Sequence, residues 1–279
     1  MQKETLKRIF IGELSLKRLV KSIVFIYLAL MIIGCTMSDK IIFYPPANSY
    51  EFRPEMVMIE TAGGEKICAY HFVNPDADFT FLYSHGNAED IGQNRFVFER
   101  FVEKGYSVLA YDYRGYGLSE GKPTEKNAYE DAAAAYKYLT ETAGVKPEKI
   151  IPFGRSLGGA MAVGVAAKEP VGGLILQSAF TTAFRVVTYV PIFPFDKFKN
   201  IDKINKVNCP VLVMHGQEDT IVKPWHGRAL YKAAKEPKSY LWVENCGHND
   251  DMPTMAGPEY WRAIEELTEK ISNNRQVGK

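Results

Sequence analysis

The sequence predicts an α/β fold, in which a mostly parallel central sheet of about eight strands carries helices on both faces. Short apolar runs rich in Val, Ile, Leu, Phe and Tyr recur along the chain, as expected for buried strands. From Phe79 onward these runs alternate with longer helical stretches, an order that indicates parallel strands joined by helical crossovers. Functional groups of such sheets gather at the carboxyl ends of the strands.

The composition fits one large globular domain. The 279 residues include 34 Lys and Arg against 33 Asp and Glu, and the net charge of +1 gives no indication of a nucleic-acid partner. The sequence contains no Gly-rich phosphate loop and no cluster of metal ligands, so we predict neither a cofactor nor a metal. It carries no signal for an oligomeric state.

The N-terminal segment has the pattern of a secretory signal. Residues 1–21 carry several Lys and Arg, and the uncharged run Ser22–Cys35 follows them. The run ends in Ile32-Ile33-Gly34-Cys35, which resembles the bacterial lipoprotein cleavage box. The resemblance implies cleavage before Cys35, acylation of that cysteine, and a membrane-attached protein that faces the periplasm or the cell exterior.

Two other interpretations of this segment stay open. An uncleaved helix would hold the chain as a single-pass anchor, although the run is shorter than the roughly 20 apolar residues of a typical span. A start at Met37 would remove the segment and make the protein cytosolic. We therefore divide the chain into a signal or anchor segment, 1–35, and one α/β domain, 36–279.

The strands and helices of the domain follow in order. The strand candidates are Met56–Glu60, Lys66–Val73, Phe79–Ser84, Ser107–Asp112, Lys149–Gly154, Gly173–Gln177, Val211–His215 and Ser239–Val243. The helix candidates are Asp90–Lys104, Lys126–Thr142, Ser156–Lys168, Trp225–Lys235 and Gly257–Ser272. The first two strands are separated by Thr61-Ala-Gly-Gly-Glu65, which is typical of a hairpin turn.

The segment Gly154-Arg155-Ser156-Leu157-Gly158 fits the strand–turn–helix pattern of a nucleophile elbow. In such an elbow the serine stands on a tight, strained bend with its hydroxyl exposed. The two glycines let the strand and the helix approach without Cβ clashes. Three further loops after strand candidates carry reactive groups: His85-Gly86-Asn87, His215-Gly-Gln-Glu-Asp219 and Cys246-Gly247-His248.

These motifs, together with Asp112-Tyr-Arg-Gly-Tyr-Gly-Leu-Ser119 and the chain order Ser156, Asp219, His248, resemble the α/β-hydrolase superfamily. The resemblance runs from about Phe43 to the C-terminus. Within the superfamily the chain looks like the branch of short-lidded serine hydrolases that includes eukaryotic protein depalmitoylases and is often labelled serine aminopeptidase-like. The resemblance implies the α/β-hydrolase fold and a serine hydrolase activity.

The chemistry assigns a role to each group. Ser156 is the predicted nucleophile, His248 is the base that activates it, and Asp219 holds the tautomer of the histidine. The backbone N–H of Leu157, the residue after the nucleophile, is one predicted oxyanion donor. By resemblance, the N–H of Asn87 is the other.

Alternative candidates exist for the acid and the base. The other histidines, His71, His85, His215 and His226, lie in a strand, at strand ends or at a helix start, where structural roles are more frequent. Glu218 is the alternative acid, and Asp250 and Asp251 lie near His248 in the sequence. Asp112 and Arg114 resemble a charged catalytic pair, but their family role is in loop structure.

The segment 178–208 is predicted to be a short lid in place of a cap domain. It is rich in aromatic residues and proline, and we expect one helix, Thr181–Val190, followed by an apolar loop. Phe180, Phe184, Tyr189 and Phe193 are candidates to line an acyl groove, or they simply cover the sheet. Without a charged cap to hold a peptide terminus, cleavage of a carboxylic ester or thioester in a small or acylated substrate is favoured. The alternatives are an aminopeptidase-like amide hydrolase and a non-catalytic membrane-anchored binding protein.

Overall fold

The computed structural model describes residues 16–277, with side chains as far as residue 273. Two compact units divide the chain between Ile42 and Phe43. The described part of the first unit, residues 16–42, is the helix α1 (Leu16–Ile42), which contains an 18-residue window of mean hydropathy 2.2. Its length and composition suffice to cross a membrane, and a signal sequence has the same properties. The predicted signal begins outside the described residues, in 1–15.

The second unit is built on one eight-stranded sheet. Its strands are β1 (Met56–Glu60), β2 (Lys66–Phe72), β3 (Thr80–Ser84), β4 (Ser107–Tyr111), β5 (Ile150–Arg155), β6 (Leu174–Gln177), β7 (Val211–Gly216) and β8 (Lys238–Val243). The spatial order is β1-β2-β4-β3-β5-β6-β7-β8. The β1–β2 and β2–β4 pairs are antiparallel, and all the other pairs are parallel. Each strand lies within one residue of its predicted bounds, which confirms the predicted sheet.

Helices cover both faces of this sheet. They are α2 (Arg95–Glu103), α3 (Glu125–Lys137), α4 (Gly158–Ala166), α5 (Arg185–Thr188), α6 (Ile201–Ile204), α7 (Trp225–Ala233), α8 (Met252–Ala256) and α9 (Pro258–Val277). A π turn, Tyr138–Thr142, extends α3, and a 3-10 turn, Pro147–Lys149, precedes β5. The short helices α6 and α8 are absent from the sequence prediction, because four or five residues are too few to show a helical period.

Four predicted helices are shorter in the structure. α4 and α7 end two residues before their predicted ends, and the other two begin later for local reasons. The helix expected from Asp90 begins at Arg95, because the Asp90 carboxylate accepts the Gln93 N–H and holds residues 90–94 in a turn. The predicted bounds of the lid helix, Thr181–Val190, are wrong, because in the structure the helix is only α5. There the Asp196 carboxylate accepts the Phe184 N–H at 2.8 Å, so this donor bonds to the part of the lid that follows α5.

Each face of the sheet has its own core. One core is aromatic: Phe81, Tyr83 and Phe153 pack against Phe98 and Phe101 of α2, and the Tyr83 and Phe153 rings stack 5.0 Å apart. The other core is aliphatic, and small residues of α4 pack there on β6 and β7. Large rings on one face and small residues on the other let α4 lie close to the strands, which is the approach an elbow requires.

Candidate active site

The elbow lies at the carboxyl end of β5, in the middle of the sheet. Ser156 has φ of 51°, in the left-handed region, and its N–H donates to the carbonyl of Gln177 at 2.9 Å. A Cβ on Gly158 would overlap the backbone carbonyl of Ser84, and one on Gly154 would overlap backbone atoms of Gly158. Both glycines are therefore required for close backbone approach, as the sequence pattern predicts.

The structure brings Ser156, His248 and Asp219 into one chain of contacts. The Ser156 Oγ lies 2.9 Å from His248 Nε2, and His248 Nδ1 lies 2.7 Å from Asp219 Oδ2. The alternative acid, Glu218, is exposed, whereas Asp219 is buried. Asp250 accepts the Gly247 N–H and Asp251 pairs with Arg100, so the other nearby carboxylates are engaged elsewhere.

The Asp219 carboxylate has a second histidine contact. Its Oδ2 lies 3.3 Å from Nε2 of buried His215, which also donates to the carbonyl of Val222 at 2.8 Å. Burial disfavours the charged form of Asp219, but the hydrogen bonds from His215 and His248 outweigh it and hold the pKa of this carboxyl well below its usual range. Asp219 is thus ionised, as an acid that orients a histidine must be.

The two residues predicted to donate to the oxyanion follow different strands of the sheet, β3 and β5. Leu157 is buried at the start of α4, directly after Ser156. Asn87 follows β3, and its side-chain Oδ1 accepts from the Tyr116 hydroxyl at 2.7 Å and from the Tyr44 N–H at 3.0 Å. These side-chain contacts fix the loop that carries the Asn87 backbone N–H.

Arg155 connects three of the loops, a role that the sequence analysis missed. Its Nη1 lies 2.9 Å from both oxygens of Glu89, and its Nη2 donates to the carbonyl of His248 at 3.2 Å. Glu89 also accepts the N–H of Gly86 in the loop before Asn87. Although burial opposes the charge, Glu89 holds the pKa of Arg155 above its usual value, so the guanidinium is charged. The elbow, the Asn87 loop and the His248 loop share this ion pair.

The remaining histidines and the suspected charged pair lie in structural contacts. His85 Nε2 lies 3.1 Å from buried Asp112, and its Nδ1 lies 2.7 Å from the Gly86 carbonyl. His226 Nδ1 accepts from the Thr181 N–H at 3.1 Å. His71 contacts the Tyr138 hydroxyl. Arg114 is surrounded by three carboxylates, those of Glu65, Glu130 and Asp131.

The four predicted lining residues occupy different environments in the lid. Phe180 is buried, and its carbonyl accepts from Asn200. Phe184 and Phe193 are partly buried, and their rings lie 6.0 Å apart. Tyr189 is half exposed, at φ of 60° after α5. Lining of a substrate groove therefore stays a prediction for these residues, and the exposed tip of the lid is distinct from its buried base.

A cavity of about 190 Å³ lies beside the elbow, and its lining residues include Glu89, Arg155 and Asn249. Two of these lining residues are sequence neighbours of predicted catalytic residues: Arg155 precedes Ser156, and Asn249 follows His248. Its volume is below the roughly 300–1,000 Å³ of typical small-molecule pockets.

Cys35, the predicted lipidation site, is exposed on α1.

Comparison with known proteins identifies the family. A family model described as "Serine aminopeptidase, S33" matches residues 75–198. Human alpha/beta hydrolase domain-containing protein 17B is 42% identical over 200 residues, which cover 70% of this chain and 69% of the relative. The chain belongs to the α/β-hydrolase family. The mouse alpha/beta hydrolase domain-containing protein 17C is 40% identical over 204 residues, which cover 70% of this chain and 62% of that relative.

Among solved structures, an esterase from Pyrococcus furiosus superposes on this α/β hydrolase with a TM-score of 0.66. The match covers 82% of this chain and 98% of the esterase, at 22% sequence identity. At that identity the match shows the shared fold. The fold and family predicted from the motifs are both confirmed.

Proposed function

We propose that this α/β hydrolase is a serine hydrolase that cleaves carboxylic ester or thioester bonds through an acyl-enzyme on Ser156. The observation that carries the proposal is the unbroken contact chain from Ser156 Oγ through both ring nitrogens of His248 to Asp219. A serine hydroxyl is a weak nucleophile, and a histidine base with an oriented tautomer is the arrangement that activates it.

The proposed reaction proceeds in two halves. His248 Nε2 takes the proton of Ser156 as Oγ bonds to the substrate carbonyl carbon, and the carbonyl electron pair moves onto oxygen. The N–H groups of Leu157 and Asn87 hold this oxyanion, and each such donor typically contributes about 2.7–4 kcal/mol to transition-state stabilisation. His248 then gives its proton to the departing alcohol or thiol. In the second half a water molecule gives a proton to His248 as its oxygen bonds to the acyl carbon. The bond from this carbon to Ser156 Oγ then breaks, and His248 returns the proton to Oγ as the acid leaves.

Two features of the site favour an acyl substrate that reaches Ser156 by an open path. The lid is a short excursion after β6 that holds two single-turn helices, α5 and α6, in place of a cap domain. The cavity beside Arg155 is small, so a long acyl chain would lie along the lid and not in that cavity. Thioesters are included among the proposed substrates because the sequence resembles the branch that includes eukaryotic protein depalmitoylases.

Amide hydrolysis is the second candidate, favoured by the description of the matching family model as a serine aminopeptidase. A substrate panel separates the two. We expect the purified protein to hydrolyse nitrophenyl esters and acyl thioesters of several chain lengths much faster than the matched aminoacyl anilides. Faster turnover of the anilides would favour the peptidase, and no turnover of any of them would contradict a hydrolase.

We further propose that the N-terminal segment attaches the domain to a membrane, either through lipidated Cys35 or as an uncleaved anchor. The support is α1, whose apolar window follows the basic residues of the N-terminus. Mass spectrometry of the mature N-terminus distinguishes the two forms: an acylated Cys35 supports the lipoprotein, and retained upstream residues support the anchor.

A further inference from the structure

We propose that two copies of this chain pair through β8, antiparallel and edge to edge, around a two-fold axis at Leu241. The eight-stranded sheet of one copy then continues into that of the other. Three observations carry the proposal. The outer edge of β8 has unpaired backbone groups, its side chains include exposed aromatic rings, and one register of self-pairing sets opposite charges face to face.

Strand β8 lies at one end of the sheet and has β7 as its only neighbouring strand there. The Val243 carbonyl faces β7 and accepts from the Gln217 N–H at 2.8 Å. Because backbone groups alternate in direction along a strand, those of Tyr240 and Trp242 point away from the sheet. In the described part of the chain, the N–H groups of these two residues have no hydrogen-bond acceptor. An unpaired edge of this kind is a template for another strand.

The same residues of β8 form an aromatic row beside α7. The Tyr240 and Trp242 rings stack 5.0 Å apart, and the Tyr231 ring of α7 meets that of Tyr240 edge-on at 5.1 Å. Tyr240 is nevertheless 53% exposed. Tyrosine and tryptophan are enriched at protein interfaces, and aromatic pairs across two strands stabilise a sheet. The row is therefore suited to contact with a further strand.

The lysine of β8 leaves this edge accessible. Natural edge strands are often protected by a lysine that extends into solvent. Lys238 instead turns back onto α7, where its Nζ donates to the Ala234 carbonyl at 2.8 Å and lies 5.1 Å from the centre of the Tyr231 ring. The Lys238 side chain is only 16% exposed. Its charge thus stays on the face of the sheet that carries the aromatic row.

A two-fold axis fixes which residues lie opposite one another. Residues with outward backbone groups must face each other, so the permitted registers differ by two positions. With Leu241 opposite its own copy, Tyr240 lies opposite Trp242 and Lys238 lies opposite Glu244. Glu244 is exposed, and no cation pairs with it among the described residues. Aromatic pairs and opposite-charge pairs at such positions both stabilise an antiparallel sheet.

The two neighbouring registers are less favourable. A shift by two positions in one direction sets Glu236 opposite Glu244, and like charges directly opposite each other destabilise a sheet. The shift in the other direction sets Tyr240 opposite Glu244 and leaves Lys238 without an acidic neighbour. A second copy of this chain satisfies the favoured register twice, since each pair recurs across the axis. The occupant that fits this edge is therefore the same strand of another copy.

The two-fold axis also determines where the two active sites lie. In antiparallel pairing the carboxyl ends of the two β8 strands point in opposite directions, so the two elbows lie at opposite edges of the joined sheet. Ser156, Asp219 and His248 of each site belong to one copy. The dimer is therefore independent of the hydrolase proposal, and either can fail without the other.

Disulfide cross-linking tests the register on the full chain, solubilised in a mild detergent. All variants carry Cys35→Ser, because Cys35 is exposed and the other native cysteines are buried. Leu241→Cys would face its own copy at a Cα separation of about 4.5 Å, which a disulfide can bridge. Ser239→Cys is the matched control, since four residues of strand, or about 13 Å, would separate it from its copy.

We expect oxidation to give at least about tenfold more covalent dimer for Leu241→Cys than for Ser239→Cys. Non-reducing electrophoresis measures the two yields. Equal yields at both positions would show association without this register and would overturn the proposal. Cross-linking at neither position would overturn it as well.

Charge reversal gives an independent measurement, the dissociation constant of the dimer from analytical ultracentrifugation. We expect Glu244→Lys to raise this constant about tenfold, because the new lysine would face Lys238 at two symmetric positions. Lys238→Glu should weaken the dimer similarly, and the double variant should restore it. Glu51→Lys is the control: Glu51 is also exposed, and it follows Tyr50, whose ring contacts that of Tyr70 on β2.

Circular dichroism verifies that each variant is folded before its association is compared. If Lys238→Glu does not fold, the effect of Glu244→Lys on cross-linking through Leu241→Cys replaces the double variant, and a reduced yield is expected. A wild-type chain that stays monomeric at all concentrations contradicts the proposal. Oligomers that grow beyond a dimer with concentration, or a folded double variant no tighter than the single ones, contradict it equally.

Discussion

The catalytic loops and the lid border the same site, but they are held in different ways. The loops after β3, β5, β7 and β8 are joined to one another by side-chain contacts, such as the Arg155–Glu89 ion pair and the contact of His248 with Asp219. The lid is joined within itself, chiefly through Asp196, and its tip is exposed. The comparison indicates that contacts between the loops constrain the positions of the predicted reacting groups of this hydrolase. The lid, which is predicted to contact the substrate, is constrained less. The following predictions test that difference, from the largest expected effect to the smallest.

Removal of the nucleophile should have the largest effect on activity. If Ser156 forms the acyl-enzyme, Ser156→Ala should lower kcat for ester hydrolysis by about a millionfold, as in a comparable triad. Steady-state kinetics on a nitrophenyl ester measures the loss, and circular dichroism checks that the fold is retained. A variant that keeps a tenth of the activity would remove Ser156 from the mechanism.

The elbow should tolerate no added side chain. Gly158→Ala should lower the free energy of unfolding by more than about 3 kcal/mol, because the new Cβ would overlap the rigid Ser84 carbonyl. Gly164→Ala in the same helix is the control, since its Cβ would meet only the Tyr129 ring, at 2.7 Å, and a ring can shift. Urea denaturation compares the two variants, and equal losses would contradict a special constraint at the elbow.

Disruption of the shared ion pair should slow catalysis without removing any reacting group. We expect Arg155→Met to lower kcat by about 10- to 100-fold with little change in KM, because the Asn87 and His248 loops lose their common contact. Arg155→Lys should recover part of the rate. Arg95→Met, which removes an ion pair with Glu55 on the surface, should leave kcat unchanged. A loss of stability with unaltered kcat would show that Arg155 is only structural.

Acid should destabilise the region around the site through His226. Burial, and next the nearby His215, lower the pKa of His226 to about 4, whereas an unfolded histidine titrates near 6.5. Between these values the unfolded chain binds the additional proton, so the free energy of unfolding should fall as the pH drops from 6.5 to 4, by up to about 3 kcal/mol. Urea titrations across this range on the wild type and His226→Gln should show a smaller slope for the variant. Identical slopes would contradict the assignment.

The lowered pKa of Asp219 acts in a different pH window. Its stabilising contribution is present above the pKa of an unfolded aspartate, near 3.9, and is lost only as the pH falls further toward the folded value. The two groups are therefore separable in one acid titration.

A change in the lid should have the smallest effect. Phe184→Ala removes ring contacts of about 6 Å with Phe193 and Phe195 from a partly buried cluster, so we expect a stability loss of only about 1–2 kcal/mol. Hydrolysis of the shortest ester should change by less than about threefold, whereas the preferred acyl length should shift. An unaltered acyl profile would show that the ring only covers the sheet.

The sequence predicts the sheet well because each strand is a short apolar run that ends at a turn or a helix start. It also predicts the partners in the Ser156–His248–Asp219 contact chain, because each follows a strand of the same sheet. The Arg155–Glu89 pair escapes prediction, since the two residues are 66 positions apart and meet only through the register of β3 beside β5. The lid helix is overpredicted for the same reason: Asp196, twelve residues beyond Phe184, takes a backbone donor that a periodic pattern assigns to the helix.

The central claim, that Ser156 is an activated nucleophile, has one direct test. The folded wild-type chain is treated with a fluorophosphonate probe and digested, and the modified peptide is identified by mass spectrometry. We predict one covalent adduct on Ser156, formed rapidly at neutral pH and lost in His248→Ala, which lacks the base. A folded wild-type chain that stays unmodified, or an adduct on another residue, would contradict the proposed mechanism.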